Sequence, residues 1–131
     1  MRVADLMQQP VVTVDTEGTV RDAVVLLSED HISALPVTDR TGKMVGVVST
    51  SDILTAEAEG APLGTRDLET MTVAELMTPR PITVSPETDV KEAAQQMLYA
   101  DVHRLFVTAD DRLVGVISTT DIVRAVARGF I

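Results

Sequence analysis

The sequence contains no cysteine and no tryptophan, and its only aromatic residues are one tyrosine and two phenylalanines. The lack of cysteine excludes disulfide bonds, zinc–thiolate sites, iron–sulfur clusters and thiol nucleophiles. Because aromatic rings are so few, the hydrophobic core must consist of aliphatic side chains and methionine. Hydrophobic residues make up 45% of the 131 residues, which is typical of a folded protein of domain size.

Positive charge is also scarce. Lysine and arginine number 11 against 20 aspartates and glutamates, giving a formal net charge of −9. Because proteins bind the nucleic-acid backbone through Lys and Arg, this balance disfavours a nucleic-acid partner. No apolar run approaches the roughly 18 residues of a membrane span, and the first residues show no signal-peptide pattern. We therefore expect a cytoplasmic protein that binds neither nucleic acid nor membrane.

The dominant feature of the sequence is an internal repeat. Residues 3–7 (VADLM) recur as residues 73–77 (VAELM), and residues 46–49 (GVVS) recur as residues 115–118 (GVIS). An Asp-Ile pair, Asp52 with Ile53 and Asp121 with Ile122, follows each second motif. A unit of this size leaves one face without cover, so we expect two copies to pack together around a pseudo-twofold axis, with clefts between them.

Each copy predicts the same order of elements: a helical turn, a short extended segment, an amphipathic helix, a hairpin of two short strands and a closing helix. The apolar stripes of the amphipathic helices have helical spacing and comprise Val20, Ala23, Val24, Leu27 and, in the second copy, Val90, Ala93, Ala94, Met97. Residues 57–70 contain Gly60, Pro62 and Gly64 and predict a connecting loop. We predict a first repeat over residues 1–58, a linker over 59–70 and a second repeat over 71–131.

The ordered motifs resemble a tandem pair of cystathionine-β-synthase (CBS) domains, often called a Bateman module. The resemblance rests on the opening VADLM and VAELM, the middle HISALPV and HRLFV, and the closing GVVSTSDI and GVISTTDI, and it covers nearly the whole chain. It implies an α/β (α+β) fold of two β-α-β-β-α repeats. It also implies a module that commonly forms a homodimer and binds adenosine-type ligands in clefts between the repeats.

The resemblance further implies which residues contact the ribose. The Ser and Asp of each closing motif, Ser49 with Asp52 and Ser118 with Asp121, would hold its hydroxyls. A carboxylate suits this role because its two oxygens can accept both hydrogen bonds of a cis-diol. The alternative is that each pair only caps a helix N-terminus, and one pair can fulfil both roles.

Phosphate and base contacts follow from the same resemblance. His103 and Arg104 would supply the phosphate contacts of the cleft that holds Asp52, whereas the matched positions facing Asp121 are Ser33 and Ala34. The adenine would lie against residues 11–12 and 81–82, namely Val11, Val12, Pro81 and Ile82.

Two departures from the family pattern bear on the ligand. Thr50 and Thr119 occupy positions where many nucleotide-binding members carry a basic residue, which argues against tight polyphosphate binding. Phe106 stands where the first repeat has Pro36, and its larger side chain is expected to narrow the cleft. AMP, adenosine or a cationic compound such as S-adenosylmethionine is therefore favoured over ATP.

These observations predict a stand-alone regulatory protein that senses an adenosine-type ligand (AMP, ADP, ATP or an S-adenosyl compound) and signals to a partner protein. The alternative is a dimerisation or protein-interaction module without a small-molecule ligand. The sequence carries no catalytic constellation or metal-ligand cluster, so we expect no enzyme and no required cofactor. Apolar residues beside the core stripes predict a homodimer: Val25, Leu26, Leu98 and Tyr99.

Overall fold

The computed structural model describes residues 1–29, 32–59 and 65–131. The chain forms two compact units: unit 1 consists of Met1–Val11 and Ile82–Ile131, and unit 2 consists of Val12–Pro81. The units and the sequence repeats are therefore divided differently. The opening motif of each repeat belongs to the unit that contains the remainder of the other repeat.

The elements follow the order expected for two copies of one motif. In chain order they are α1 (Val3–Leu6), β1 (Val14–Asp15), α2 (Val20–Glu29), β2 (Ala34–Thr38), β3 (Met44–Ser49), α3 (Thr50–Glu59), α4 (Thr65–Thr70), α5 (Val73–Leu76), β4 (Thr78–Pro79), β5 (Thr83–Val84), α6 (Val90–Ala100), β6 (Arg104–Ala109), β7 (Arg112–Ser118) and α7 (Thr119–Ala127). The mixed α/β fold class predicted from the sequence is confirmed.

Each unit contains one small sheet. The sheet of unit 2 has the order β1-β2-β3-β4, in which β1 is parallel to β2 and the other pairs are antiparallel. The sheet of unit 1 has the order β5-β6-β7, and Gln8 adds an isolated antiparallel bridge to Val116 of β7. The segment after each opening motif thus pairs with the second hairpin strand of its unit, β3 or β7.

The sequence predicted a loop over residues 57–70, and this prediction is wrong at both ends of the segment, which are helical. Helix α3 continues to Glu59, and Thr65–Thr70 forms helix α4. Residues 60–64, which contain all the turn-forming Gly and Pro residues of this segment, lie outside the described residues. Helix α4 packs against α2, where Arg21 and Glu69 form an ion pair of 3.8 Å. These tertiary contacts stabilise a helix that the neighbouring Gly and Pro residues obscured in the sequence.

The cores of both units consist of aliphatic side chains, as the composition required. The predicted helical stripes contribute the buried Ala23, Leu27, Ala93 and Met97. The opening motifs contribute one residue to each core: Val3 in unit 1 and Val73 in unit 2 are both completely inaccessible to solvent. A fully buried valine stabilises a domain by about 1.5 kcal/mol or more, so the opening motif is part of the packing of its unit.

Two glycines allow the opening motifs to approach the sheets. A Cβ atom on Gly46 would lie 2.6 Å from the sulfur of Met77, and one on Gly115 would lie 2.7 Å from the sulfur of Met7. Both distances are too short for any side chain. The repeated glycine at the centre of β3 and β7 therefore allows the close packing of the methionine that ends each opening motif, which any larger residue would displace.

The hairpin turns use residues suited to left-handed backbone conformations. Gly42 has a φ of +85°, and the second hairpin turns through Asp110 and Asp111, with φ values of 52° and 65°. In the first turn, the Thr41 hydroxyl donates to Asp39 at 2.6 Å and, as the largest cause, lowers the pKa of that carboxyl. No helix in the described part of the chain is long and apolar enough to cross a bilayer.

Candidate functional site

In unit 2, Ser49 and Asp52 cap helix α3. The backbone N–H and the hydroxyl of Ser49 donate to Oδ2 of Asp52 at 2.8 and 3.0 Å, and the N–H of Asp52 donates back to the Ser49 hydroxyl at 3.2 Å. The other carboxylate oxygen, Oδ1, accepts a long hydrogen bond of 3.3 Å from the hydroxyl of Thr78. Asp52 is half-buried, so its carboxylate is fixed in direction and still reached by solvent.

In unit 1, Ser118 and Asp121 cap helix α7 in the same way. The N–H of Ser118 donates to Oδ2 of Asp121 at 2.8 Å, and the N–H of Asp121 donates to the Ser118 hydroxyl at 3.2 Å. Oδ1 accepts from the side-chain amide of Gln8 at 2.6 Å and lies 3.6 Å from the guanidinium of Arg124. Asp121 is only 6% exposed, so it is much less accessible than Asp52.

Both Ser/Asp pairs therefore have the helix-capping role that the sequence analysis set beside ribose binding. Capping occupies Oδ2 of each carboxylate and leaves Oδ1 to other contacts. The two roles are compatible, because the cap fixes the carboxylate and Oδ1 is the oxygen that a ligand hydroxyl would approach.

Of the candidate phosphate-contacting residues, Arg104 lies beside a capping serine, and Ala34 is the residue at the matched position of the first repeat. Arg104 is the cross-strand partner of Ser118, and Ala34 is the cross-strand partner of Ser49. Directly opposed residues of antiparallel strands project on the same face of the sheet. Arg104 is half-buried, and its guanidinium forms no ion pair within the described ranges of the chain. No neighbour in the described part of the chain thus neutralises its charge.

His103 and Ser33 precede these positions, and both are exposed. The backbone carbonyl of each accepts a hydrogen bond of 2.9 Å from the first residue of the closing helix of its unit. His103 lines an apolar pocket of about 280 Å³ between α6 and α7, and Arg104 does not. The expectation that His103 and Arg104 complete the cleft of Asp52 stays a prediction.

The residues predicted to contact the base precede the short strands β1 and β5. Val11 and Pro81 are half-buried, whereas Val12 and Ile82 are 45% and 53% exposed. Exposed aliphatic side chains at these positions offer apolar surface against which the face of an adenine ring can pack.

The structure adds three residues that the sequence analysis missed: Gln8, Thr78 and Arg124. Gln8 and Thr78 occupy matched positions directly after the repeated Leu-Met, which was the available signal. Arg124 stands three residues after Asp121 on α7, a spacing that places two side chains on one helix face. Together with Asp121, Gln8 and Arg124 line a pocket of about 310 Å³. Within the described residues, no three His, Asp or Glu side chains are grouped as metal ligands.

Comparisons with known proteins identify relatives of this chain. The chain is 32% identical to the chloroplastic CBS domain-containing protein CBSX1 of Arabidopsis thaliana, over 82% of this chain and 55% of that protein. It is also 30% identical to the uncharacterised protein MJ0188 of Methanocaldococcus jannaschii, over 95% of this chain and 44% of that protein. The chain thus spans about half the length of these relatives.

Several similar solved structures carry ligands, and among them are complexes with adenosine compounds. The crystal structure of CBSX2 in complex with AMP has a TM-score of 0.82 and 32% identity, covering 97% of both chains. The CBS domain pair of protein MJ0100, in complex with 5′-methylthioadenosine and S-adenosyl-L-methionine, has a TM-score of 0.80 and 27% identity, covering 98% of both chains. The family model of the CBS domain matches residues 3–59 and 73–128. The chain therefore belongs to the CBS domain family and contains two copies of this domain.

Proposed function

We propose that this chain is a regulatory CBS-pair protein that binds an adenosine-type ligand and passes the signal to a partner protein. The main observation behind this proposal is an arrangement that occurs in both repeats. A capping serine fixes an aspartate through its Oδ2 atom, and the Oδ1 atom takes no part in the cap. The complexes of CBSX2 with AMP and of MJ0100 with two adenosyl compounds support the same ligand class.

The ribose is the part of the ligand that this arrangement suits best. An ionised carboxylate accepts hydrogen bonds from both hydroxyls of a cis-diol, and such charge-assisted bonds contribute about 1.5–3 kcal/mol each. The capping serines, Ser49 and Ser118, reduce the entropic cost of binding because they hold the carboxylates in one orientation. We assign the ribose contacts to these serines and to Asp52 and Asp121.

We assign the remaining ligand contacts from the positions that the resemblance to CBS domains implies. Val11, Val12, Pro81 and Ile82 would contact the adenine, and Arg104, with the exposed His103 and Ser33, would contact a phosphate or another anionic group. None of these contacts requires a metal or a catalytic group, and the proposal includes no chemical step. Regulation would instead require that the ligand bind one conformation of the protein more tightly than another and so shift their populations.

A thermal-shift experiment with paired nucleosides tests the ribose assignment. At 100 times its Kd, a ligand adds about 2.7 kcal/mol to the free energy of unfolding. We expect adenosine to raise the Tm, and 2′,3′-dideoxyadenosine, which has the same base without the diol, to leave it nearly unchanged. Asp52→Asn combined with Asp121→Asn should abolish the adenosine shift.

Equal shifts for both nucleosides would contradict the ribose assignment. The absence of a shift with adenosine, AMP and S-adenosylmethionine alike would favour the second candidate function, an interaction module without a small-molecule ligand. The exposed apolar surface on α6 and α7 supports this second candidate, because it offers a protein-binding face. On these helices Leu98 is 83% exposed, Tyr99 95% and Val123 66%.

We further propose that this face forms a homodimer. Leu98 and Val123 border the apolar pocket between α6 and α7, and a second copy of the chain would cover them. Val25 is 38% exposed on α2, whereas Leu26 is half-buried against the core of its own unit and offers less surface to a partner. Burial of large apolar side chains contributes about 1.5–3 kcal/mol each.

Sedimentation velocity tests the dimer. We expect the native chain to sediment as a dimer at tens of micromolar and Leu98→Glu to sediment as a monomer. Lys91→Glu, on the first turn of the same helix, is the matched control: it changes the charge by more than Leu98→Glu does, and should leave the dimer intact. A native chain that is monomeric throughout this range would contradict the proposal.

A further inference from the structure

The candidate ribose-binding carboxylates of Asp52 and Asp121 differ in the contacts that their Oδ1 atoms already make. Oδ1 of Asp121 accepts a 2.6 Å hydrogen bond from the side-chain amide of Gln8 and has Arg124 at 3.6 Å. Within the part of the chain that the structure describes, Oδ1 of Asp52 has only the 3.3 Å contact with the hydroxyl of Thr78. Among the described residues, Asp52 has no ion pair, and the position that matches Arg124 holds Thr55, which carries no charge.

This difference has a direct consequence for ligand binding. A ribose hydroxyl that approaches Oδ1 of Asp121 competes with the amide of Gln8, which makes a short, part-buried hydrogen bond to this charged acceptor. A hydroxyl that approaches Asp52 displaces only a long bond from another hydroxyl. A hydrogen bond to a charged group is stronger than one between neutral groups, so the first exchange is the more costly.

We propose that Gln8 is a specificity-determining residue. Its hydrogen bond occupies Oδ1 of Asp121, so that nucleosides bind more weakly at Asp121 than at Asp52. The proposal rests on the proposed function, because it concerns the same ribose contacts. The nucleoside binds first at Asp52. It binds at Asp121 only at higher concentration, when it displaces the amide of Gln8. With one net hydrogen bond to a charge at stake, the two affinities differ by about tenfold.

Calorimetry with adenosine on single-carboxylate backgrounds tests this assignment. The Asp52→Asn background reports on Asp121, and the addition of Gln8→Thr, which copies the residue found at position 78, is expected to raise the adenosine affinity about tenfold. The Asp121→Asn background reports on Asp52, and the addition of Thr78→Gln is expected to lower the affinity by a similar factor.

Gln9→Thr is the matched control on the Asp52→Asn background. The amide of Gln9 donates at 2.8 Å to the backbone carbonyl of Val114 and not to a carboxylate, so its loss removes the same chemical group from the adjacent residue. We expect Gln9→Thr to leave the adenosine affinity unchanged. An equal gain for Gln8→Thr and Gln9→Thr would show a general loosening of the segment and would overturn the proposal.

The results separate this proposal from the proposed function. Equal adenosine affinities of the two backgrounds would contradict the role proposed for Gln8, and so would an unchanged or lower affinity in Gln8→Thr. The proposed adenosine binding would not be affected by either result. If adenosine binds neither background nor the native chain, both fail. Circular dichroism and the Tm of each variant establish that it is folded.

A measurement without ligand gives an independent check. The side-chain NH₂ resonances of Gln8 in an NMR spectrum report its hydrogen bond to the carboxylate. We expect Asp121→Asn to shift these resonances and Asp52→Asn to leave them in place. Resonances of Gln8 that are insensitive to Asp121→Asn would show that the hydrogen bond does not persist in solution, and this would overturn the proposal.

Discussion

A fragment of residues 12–81 is expected to fold cooperatively, whereas a fragment of residues 1–58, which contains one complete sequence repeat, is not. The first fragment is unit 2 and includes Val73, Met77 and strand β4. The second lacks these and retains residues 1–11, which belong to unit 1. Domains of this size have stabilities of about 5 kcal/mol, and burial of Val73 alone contributes about 1.5 kcal/mol or more.

The loss in the shorter fragment exceeds one side chain. Gly46 would lose the packed sulfur of Met77, and β3 would lose its pairing with β4 and become an open sheet edge. Thermal unfolding followed by circular dichroism should show a sigmoidal transition for residues 12–81 and a gradual, non-cooperative change for residues 1–58. A sharp transition for residues 1–58 alone would contradict the assignment of the opening motif to the other unit.

This division explains what the sequence predicted and what it did not. Periodicity in each repeat predicted the helix, the hairpin and the closing helix, because the stripe of Ala23 and Leu27 and the capping serines act within one segment. Membership of a compact unit depends on long-range packing instead. The burial of Val3 against residues of the second repeat, such as Val84 and Ile117, leaves no mark in local spacing, since Val3 and Val73 are the same residue in the same motif.

The candidate site was predictable to a similar extent. The repeated Ser-x-x-Asp predicted the capping role of Ser49, Asp52, Ser118 and Asp121, because capping requires that spacing. Their ribose role came from the resemblance to CBS domains and stays a prediction. The partners of Oδ1 were not found, because Thr78 lies 26 residues from Asp52 and Gln8 lies 113 residues from Asp121. A short-range pattern cannot report such contacts.

AMP binding is expected to depend on Arg104 much more than adenosine binding does. The guanidinium of Arg104 has no ion-pair partner among the described residues. Arg104 itself is the cross-strand neighbour of Ser118. The net charge of −9 opposes an anionic ligand, but at physiological ionic strength charges are screened over about 8 Å. A nearby cation therefore outweighs distant carboxylates, and Arg104→Ala should weaken AMP binding by tenfold to about a hundredfold.

Calorimetry with AMP and adenosine, on the native chain and two variants, measures this contrast. Arg112→Ala is the matched control, since it removes the same charge from the exposed start of the neighbouring strand β7, at the other end of the hairpin. A general electrostatic effect would weaken AMP binding equally in both variants, whereas direct contact weakens it only in Arg104→Ala. Adenosine carries no phosphate, so its affinity should change little in either variant. Equal losses of AMP and adenosine affinity in Arg104→Ala would show that Arg104 supports the fold of the site and does not contact phosphate.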